Sequence, residues 1–161
     1  MQTIEAKRDK FVKLITTYKE QECLEYINKY DGFYSATDTN HNASMLQLAC
    51  AHNADQLAIA LIDKNCDLTH QNMFGHTALM YASWFKLNNV VTHIIDKLVD
   101  ATTRVKSDGT SEMMYLCWSG DADNVVKMID HGYDIYYKCH YKKTLFTEAI
   151  KHSLERVVKN L

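Results

Sequence analysis

The chain has 161 residues, of which 47% are hydrophobic and 24% charged, and its formal net charge is −2. This length suits one domain, and this composition is that of a globular protein. The near-neutral charge gives no electrostatic reason to bind nucleic acid or an anionic membrane, and no apolar run is long enough to span a bilayer. There is no proline and there are only five glycines, too few turn residues for many short strands, so an all-α fold is predicted.

The first predicted unit covers residues 1–38. Its apolar residues fall in two groups at helical spacing, and a turn signal follows them at Asp31 and Gly32. This outline is that of two short helices joined by a turn. The apolar residues are Phe11, Val12, Leu14 and Ile15 in the first group and Cys23, Leu24 and Ile27 in the second.

Four later segments share one pattern. Each segment begins with a serine or threonine whose hydroxyl can cap a helix. These first residues lie 33, 34 and 33 positions apart, a period typical of arrays of helix pairs. These residues are Ser44, Thr77, Ser111 and Thr144. About ten residues later a turn residue precedes a second predicted helix in each segment, at Asn53, Lys86, Gly120 and Ser153.

The segment from Asn72 to Asp100 shows the pattern most fully, and its neighbours keep part of it, with Leu116 in the place of Ala82. The residues of the pattern are Gly75, Thr77, Leu79, Ala82, Val90, Ile94, Ile95 and Asp100. These positions are those of the ankyrin-repeat motif, which the chain resembles from about residue 39 onward. Ala78 and Met80 replace the proline and histidine of that motif, while Asn53 and Asn65 stand where it has glycine, and asparagine tolerates the left-handed backbone needed there.

The resemblance implies an ankyrin-repeat solenoid of helix-turn-helix units linked by projecting hairpin loops, forming one domain over residues 1–161. Terminal repeats are atypical because one face meets water, so residues 1–38 are interpreted as a degenerate capping repeat. Repeats are expected at 39–71, 72–105 and 106–138. Residues 139–161 are expected to be a terminal repeat or a truncated one, since the last helix ends before its final turn.

Members of this family bind proteins through a concave face of inner helices and hairpin tips, so the resemblance implies a non-enzymatic interaction module. The residues implied for that face are Phe74, His76, Trp84, Phe85, Arg104, Trp118, Tyr141, Lys143 and Lys151. Exposed tryptophan is enriched among residues that dominate binding, but Trp84 and Trp118 could instead fill space between consecutive helices. Tyr81 and Tyr115 are predicted to pack at the helix interface. The C-terminal end is basic from Lys138 onward.

Other functions remain open at this stage. The repeats could be the targeting or regulatory part of a larger enzyme, effector or channel, or a hydrolase could use Cys139, whose neighbour His140 would point to the opposite face. His41, His52 and His76 could meet across repeats, although surface positions are expected for them. We expect no cofactor, no metal ion, and no binding to nucleic acid or to a membrane. The chain is expected to be a monomer. Five irregularly spaced cysteines and a charged N-terminus favour a reducing, cytoplasmic location.

Overall fold

The computed structural model describes residues 1–100 and 102–161, and these residues form ten α-helices and no β-strand. The all-α prediction is therefore confirmed. The helices are α1 (Ile4–Thr16), α2 (Glu20–Lys29), α3 (Met45–Ala51), α4 (Asp55–Asp63), α5 (Ala78–Trp84), α6 (Asn88–Lys97), α7 (Glu112–Ser119), α8 (Ala122–Asp130), α9 (Leu145–Lys151) and α10 (Glu155–Val158).

The helices form five pairs that are arranged in two rows. Each odd-numbered helix packs against the even-numbered helix that follows it, from α1 with α2 to α9 with α10. Between pairs, α1, α3, α5, α7 and α9 contact each other in that order and form what we call the odd row, while α2, α4, α6, α8 and α10 do the same and form the even row. Across the described part of the chain, helix contacts occur only within a pair or between neighbouring pairs. Each pair is therefore stabilised by its nearest neighbours.

Every helix of the odd row begins after a residue with a side-chain hydroxyl. In α3, Ser44 accepts a hydrogen bond from the backbone N–H of Gln47 at 3.1 Å, and the Gln47 side chain accepts one from the Ser44 N–H. Such reciprocal bonds satisfy N–H groups that a helix start leaves without partners. The five capping residues are Thr3, Ser44, Thr77, Ser111 and Thr144, so the four caps predicted from the period are confirmed.

The turn within each pair uses a left-handed residue. The φ angles at Asn53, Lys86, Gly120 and Ser153 are 58°, 57°, 79° and 56°. The predicted turn positions are thus confirmed, including the asparagine that stands in place of glycine. A left-handed backbone redirects the chain after α3, α5, α7 and α9 so that the next helix can pack against the one just ended.

The loops that lead into the odd row stack on one another. The backbone N–H of Ser107 donates to the carbonyl of Phe74 at 3.1 Å, and the Gln71 amide donates to the carbonyl of Val105 at 2.8 Å. One loop earlier, the N–H of Met73 donates to the carbonyl of His41 at 3.0 Å. These bonds hold the loop residues in register beside the odd row.

Two glycines with the same backbone conformation allow this loop stacking to be tested. Gly75 and Gly120 have φ angles of 81° and 79°. A Cβ on Gly75 would lie 2.8 Å from the Cα of Lys106, whereas a Cβ on Gly120 would meet nothing within 4 Å. We expect Gly120→Ala to lower the free energy of unfolding by about 1 kcal/mol, the backbone cost alone. Gly75→Ala should cost clearly more, because the loop at Lys106 must also move.

Urea denaturation of the two variants measures this difference. Equal losses would contradict the close approach of the two loops.

Candidate functional site

A continuous set of aromatic rings runs along the odd row and its loops, and we call it the aromatic surface. It consists of His41, Phe74, His76, Tyr81, Trp84, Tyr115 and Trp118. Successive ring centroids lie 5.2 to 6.3 Å apart along this set. Rings attract one another over such separations, so contacts within the protein hold the aromatic surface together. It spans three consecutive units of the chain.

Trp84 is a largely exposed ring of the aromatic surface. It is the last residue of α5, and 63% of it is exposed to solvent. Its indole contacts Tyr115 edge-on, with ring centroids 6.2 Å apart and planes at 63°. Phe85, which follows it at the helix end, is also exposed. The α5 terminus therefore presents two adjacent aromatic side chains to solvent.

A mostly apolar cavity of about 260 Å³ opens beside Trp84. This volume lies just below the range of roughly 300–1,000 Å³ found for small-molecule sites. A single bulky side chain of a partner is therefore a better match than a cofactor. The residues lining the cavity are His76, Met80, Tyr81, Trp84, Phe85 and Tyr115.

Trp118 has a different environment from Trp84. It is partly buried, and its Nε1–H donates to Oε2 of the buried Glu148 at 2.5 Å. The Nζ of Lys143 lies 5.8 Å from its ring centroid, a cation–π arrangement. Trp118 thus ties α7 to α9 and belongs in part to the packing between pairs. The sequence left open whether these tryptophans are exposed or pack between helices. Trp84 is exposed, and Trp118 packs between helix pairs.

Arg104 corrects one sequence prediction. It was expected at a hairpin tip on the binding face, but its side chain is buried and its guanidinium lies 2.6 Å from Asp100 and 3.8 Å from Glu112. The buried Glu112 carboxylate needs a cation nearby, and the loop before α7 supplies Arg104. Arg104 is therefore part of the interior.

The remaining predicted residues lie at the surface in different places. Phe74 is exposed, and His76 is partly buried within the aromatic surface. Tyr141 and Lys151 are also exposed, but neither makes a ring contact with the aromatic surface in the described part of the chain. Of the two lysines predicted for the binding face, Lys143 contacts the aromatic surface, through the ring of Trp118.

Two titratable rings of the aromatic surface, His76 and Tyr115, are held in their neutral forms. Burial lowers the pKa of His76, and the nearby Lys106 lowers it further. The Nε2 of His76 lies 3.4 Å from the Tyr115 hydroxyl, and its Nδ1 has no hydrogen-bond partner among the described residues. Burial raises the pKa of Tyr115. Neutral rings favour the binding of apolar groups over proton transfer.

The cysteines and histidines considered for other chemistry lie in separate places. Cys139 is buried, and burial raises the pKa of Cys117 to about 12, which makes that thiol a poor nucleophile. His52 contacts Tyr18 edge-on, with ring centroids 5.5 Å apart, and makes no ring contact with His41 or His76 among the described residues. In residues 1–100 and 102–161, no group of three or more His, Cys, Asp or Glu side chains is placed to hold a metal ion.

Three residues of the site were assigned otherwise from the sequence. Tyr81 and Tyr115 were expected to pack between helices. His41 was expected at the surface, where it lies, but not in contact with Phe74. Both tyrosines do pack, yet they also line the cavity. Their spacing of 34 residues, one repeat, matches that of Trp84 and Trp118 and was the available signal that all four share one face.

Among the described helices, none combines the length and the apolar character that crossing a bilayer requires. Comparison with protein-family models and with curated proteins gave no match. The function therefore has to be inferred from the aromatic surface itself.

Proposed function

We propose that this chain is an ankyrin-type repeat array that binds a protein partner, without catalysis, through the odd row and the loops preceding it. Support for the array comes from caps and left-handed turns that recur every 33 or 34 residues and from helices that contact only neighbouring pairs. Five free cysteines are compatible with a reducing, cytoplasmic location. The proposed location is part of the same hypothesis.

The observation that carries the proposal is the exposure of Trp84 beside a cavity lined by rings. A tryptophan with 63% of its surface in water contributes little to the core. Tryptophan next to an apolar pocket is, however, the residue type that most often dominates a protein interface. The Trp84 ring is also held in place by Tyr115, so little side-chain freedom is lost when a partner covers it.

The test compares Trp84→Ala with Tyr136→Ala, a change at an exposed ring that has no contact with the aromatic surface. A photo-crosslinking residue at position 85 first captures the partner from lysate, and titration calorimetry then measures its affinity for each variant. Trp84→Ala should weaken binding by about 2 kcal/mol or more, roughly 30-fold, with an unchanged melting temperature. Tyr136→Ala should bind like the native protein.

Equal affinities of the native protein and Trp84→Ala would refute a binding role for this face. So would crosslinking that is as efficient from position 136 as from position 85.

A further inference from the structure

The side of the array that carries the aromatic surface has almost no free negative charge. Helices α3, α5, α7 and α9 contain two carboxylates between them, Glu112 and Glu148, and both are buried. The loops before these helices contain two more, of which Asp38 is buried and Asp108 pairs with the Nζ of Lys106 at 2.8 Å. These loops are residues 37–44, 70–77, 104–111 and 137–144. In the described part of the chain, a cationic partner would therefore find no unpaired exposed carboxylate on these helices and loops.

The even row, by contrast, is acidic. Its five helices contain nine acidic and four basic residues, so the small overall charge of −2 conceals an unequal distribution. An uneven charge distribution orients an incoming charged molecule. A partner that carries carboxylates is repelled by the even row and is directed toward the odd row.

Lysines lie at the C-terminal end of the aromatic surface. Lys151, Trp84 and Trp118 are each the seventh residue after the cap of their helix. Lys151 therefore continues the line of the two tryptophans along the odd row, and it is exposed. Lys143 lies over the ring of Trp118, and the adjacent Lys142 is exposed in the same loop. We call Lys142, Lys143 and Lys151 the lysine edge.

Contacts between loops and rings place the lysine edge close to the cavity. The Tyr137 hydroxyl donates to the carbonyl of Gly109 at 2.7 Å, so the loop before α9 packs on the loop before α7. The Nζ of Lys143 lies 5.8 Å from the ring of Trp118, whose centroid lies 5.2 Å from that of Tyr115 in the cavity wall. An extended peptide advances roughly 3.3–3.6 Å per residue, so carboxylates within about four residues of a side chain in the cavity can reach Lys143.

We propose that the partner segment that binds here is acidic, with one large apolar side chain in the cavity beside Trp84 and carboxylates that pair with the lysine edge. The apolar contact supplies most of the affinity, while the charges speed association and select the partner. This inference rests on the binding role proposed above for the aromatic surface.

A nucleic acid strand fits these observations less well. Its phosphates are evenly spaced and require cations along the whole groove that holds the strand. Helices α3 and α5 and the loops before them contain no lysine or arginine. The lysines are confined to one end, which matches a peptide whose carboxylates lie to one side of its apolar anchor.

Selection of random dodecapeptides displayed on phage, with the native chain as bait in about 100 mM salt, tests the proposal. Enriched peptides should contain one large apolar residue with aspartate or glutamate within about four positions. Fluorescence anisotropy of a labelled synthetic copy of the most enriched peptide then measures its Kd. Lys142→Glu combined with Lys151→Glu should raise this Kd at least about tenfold and reduce its dependence on salt. Trp84→Ala should raise it roughly 30-fold.

The matched control is Lys64→Glu combined with Lys159→Glu, which changes the net charge by the same amount. Both lysines are exposed at the ends of even-row helices. Because salt screens charges that lie far from the bound peptide, this control should change the Kd less than about twofold. Circular dichroism confirms that each variant is folded.

Three results would overturn the proposal. Enriched peptides that require Trp84 but are neutral or basic would exclude an acidic segment and leave the proposed function intact. The absence of any Trp84-dependent peptide would count against both. An oligothymidylate that displaces the selected peptide and binds Trp84→Ala more weakly than the native chain would identify a nucleic acid strand as the ligand instead.

Discussion

Leu79→Ala is expected to lower the free energy of unfolding by about 2–5 kcal/mol. Leu79 is the second residue of α5 after the Thr77 cap, and none of its surface is exposed. It is part of a core that continues from α1 to α10. Truncation removes buried methyl groups and leaves a cavity that α3 and α7, the odd-row neighbours of α5, can fill only in part.

The matched control for this substitution is Met73→Ala. Met73 is also apolar but is exposed in the loop before α5, so its replacement should change the free energy of unfolding by about 0.5 kcal/mol or less. Urea denaturation followed by circular dichroism measures both variants. Similar losses at the two positions would mean that the assigned helix phase is wrong.

Glu112→Ala should be comparably destabilising, by about 3–5 kcal/mol, for an electrostatic reason. Glu112 is the first residue of α7 and is 1% exposed. Its carboxylate accepts hydrogen bonds from the hydroxyls of Thr77, at 2.6 Å, and Tyr133, and lies 3.8 Å from the Arg104 guanidinium. Alanine would leave the buried cation and the Tyr133 hydroxyl without this partner.

Thermal or urea denaturation of Glu112→Ala measures the loss, with Glu22→Ala as the control. Glu22 pairs with Lys19 at 2.7 Å on the exposed side of α2, and exposed pairs contribute little. A near-native stability of Glu112→Ala would show that the contacts of Glu112 with Thr77, Tyr133 and Arg104 add nothing net to the free energy of unfolding.

The same carboxyl should make stability depend on pH. Burial raises the pKa of Glu112 above its ordinary value of 4.5, against the effect of its hydrogen-bond donors and Arg104. A group whose pKa is higher in the folded state contributes most below its unfolded pKa, and that contribution is lost as pH rises through the folded value. The native protein should therefore lose stability relative to Glu112→Gln as pH rises from 4.5 through the higher pKa of the folded state. Denaturation of both proteins across this range measures it, and a constant difference would contradict it.

The aromatic surface could be predicted from the sequence only in part. Four of its residues, Phe74, His76, Trp84 and Trp118, were predicted for the binding face from their repeat positions. Phe74 and Trp84 are exposed, and His76 and Trp118 are partly buried. Tyr115 was not predicted for this face, because a position that packs against a neighbouring helix can also line a cavity. Tyr115 does both because His76 and Trp84 of the preceding unit contact it, and these contacts exist only in the folded array.

The sequence by itself determined the all-α class, the helix caps and the left-handed turns at Asn53, Lys86, Gly120 and Ser153. These features depend on residues that are close in the chain, so their pattern is visible without coordinates. Tertiary structure alone decided that Arg104 is buried and that Trp118 is tied to Glu148 while Trp84 is exposed. Each of these outcomes depends on which other parts of the array cover the residue, because burial is a property of the assembled array and not of the local segment.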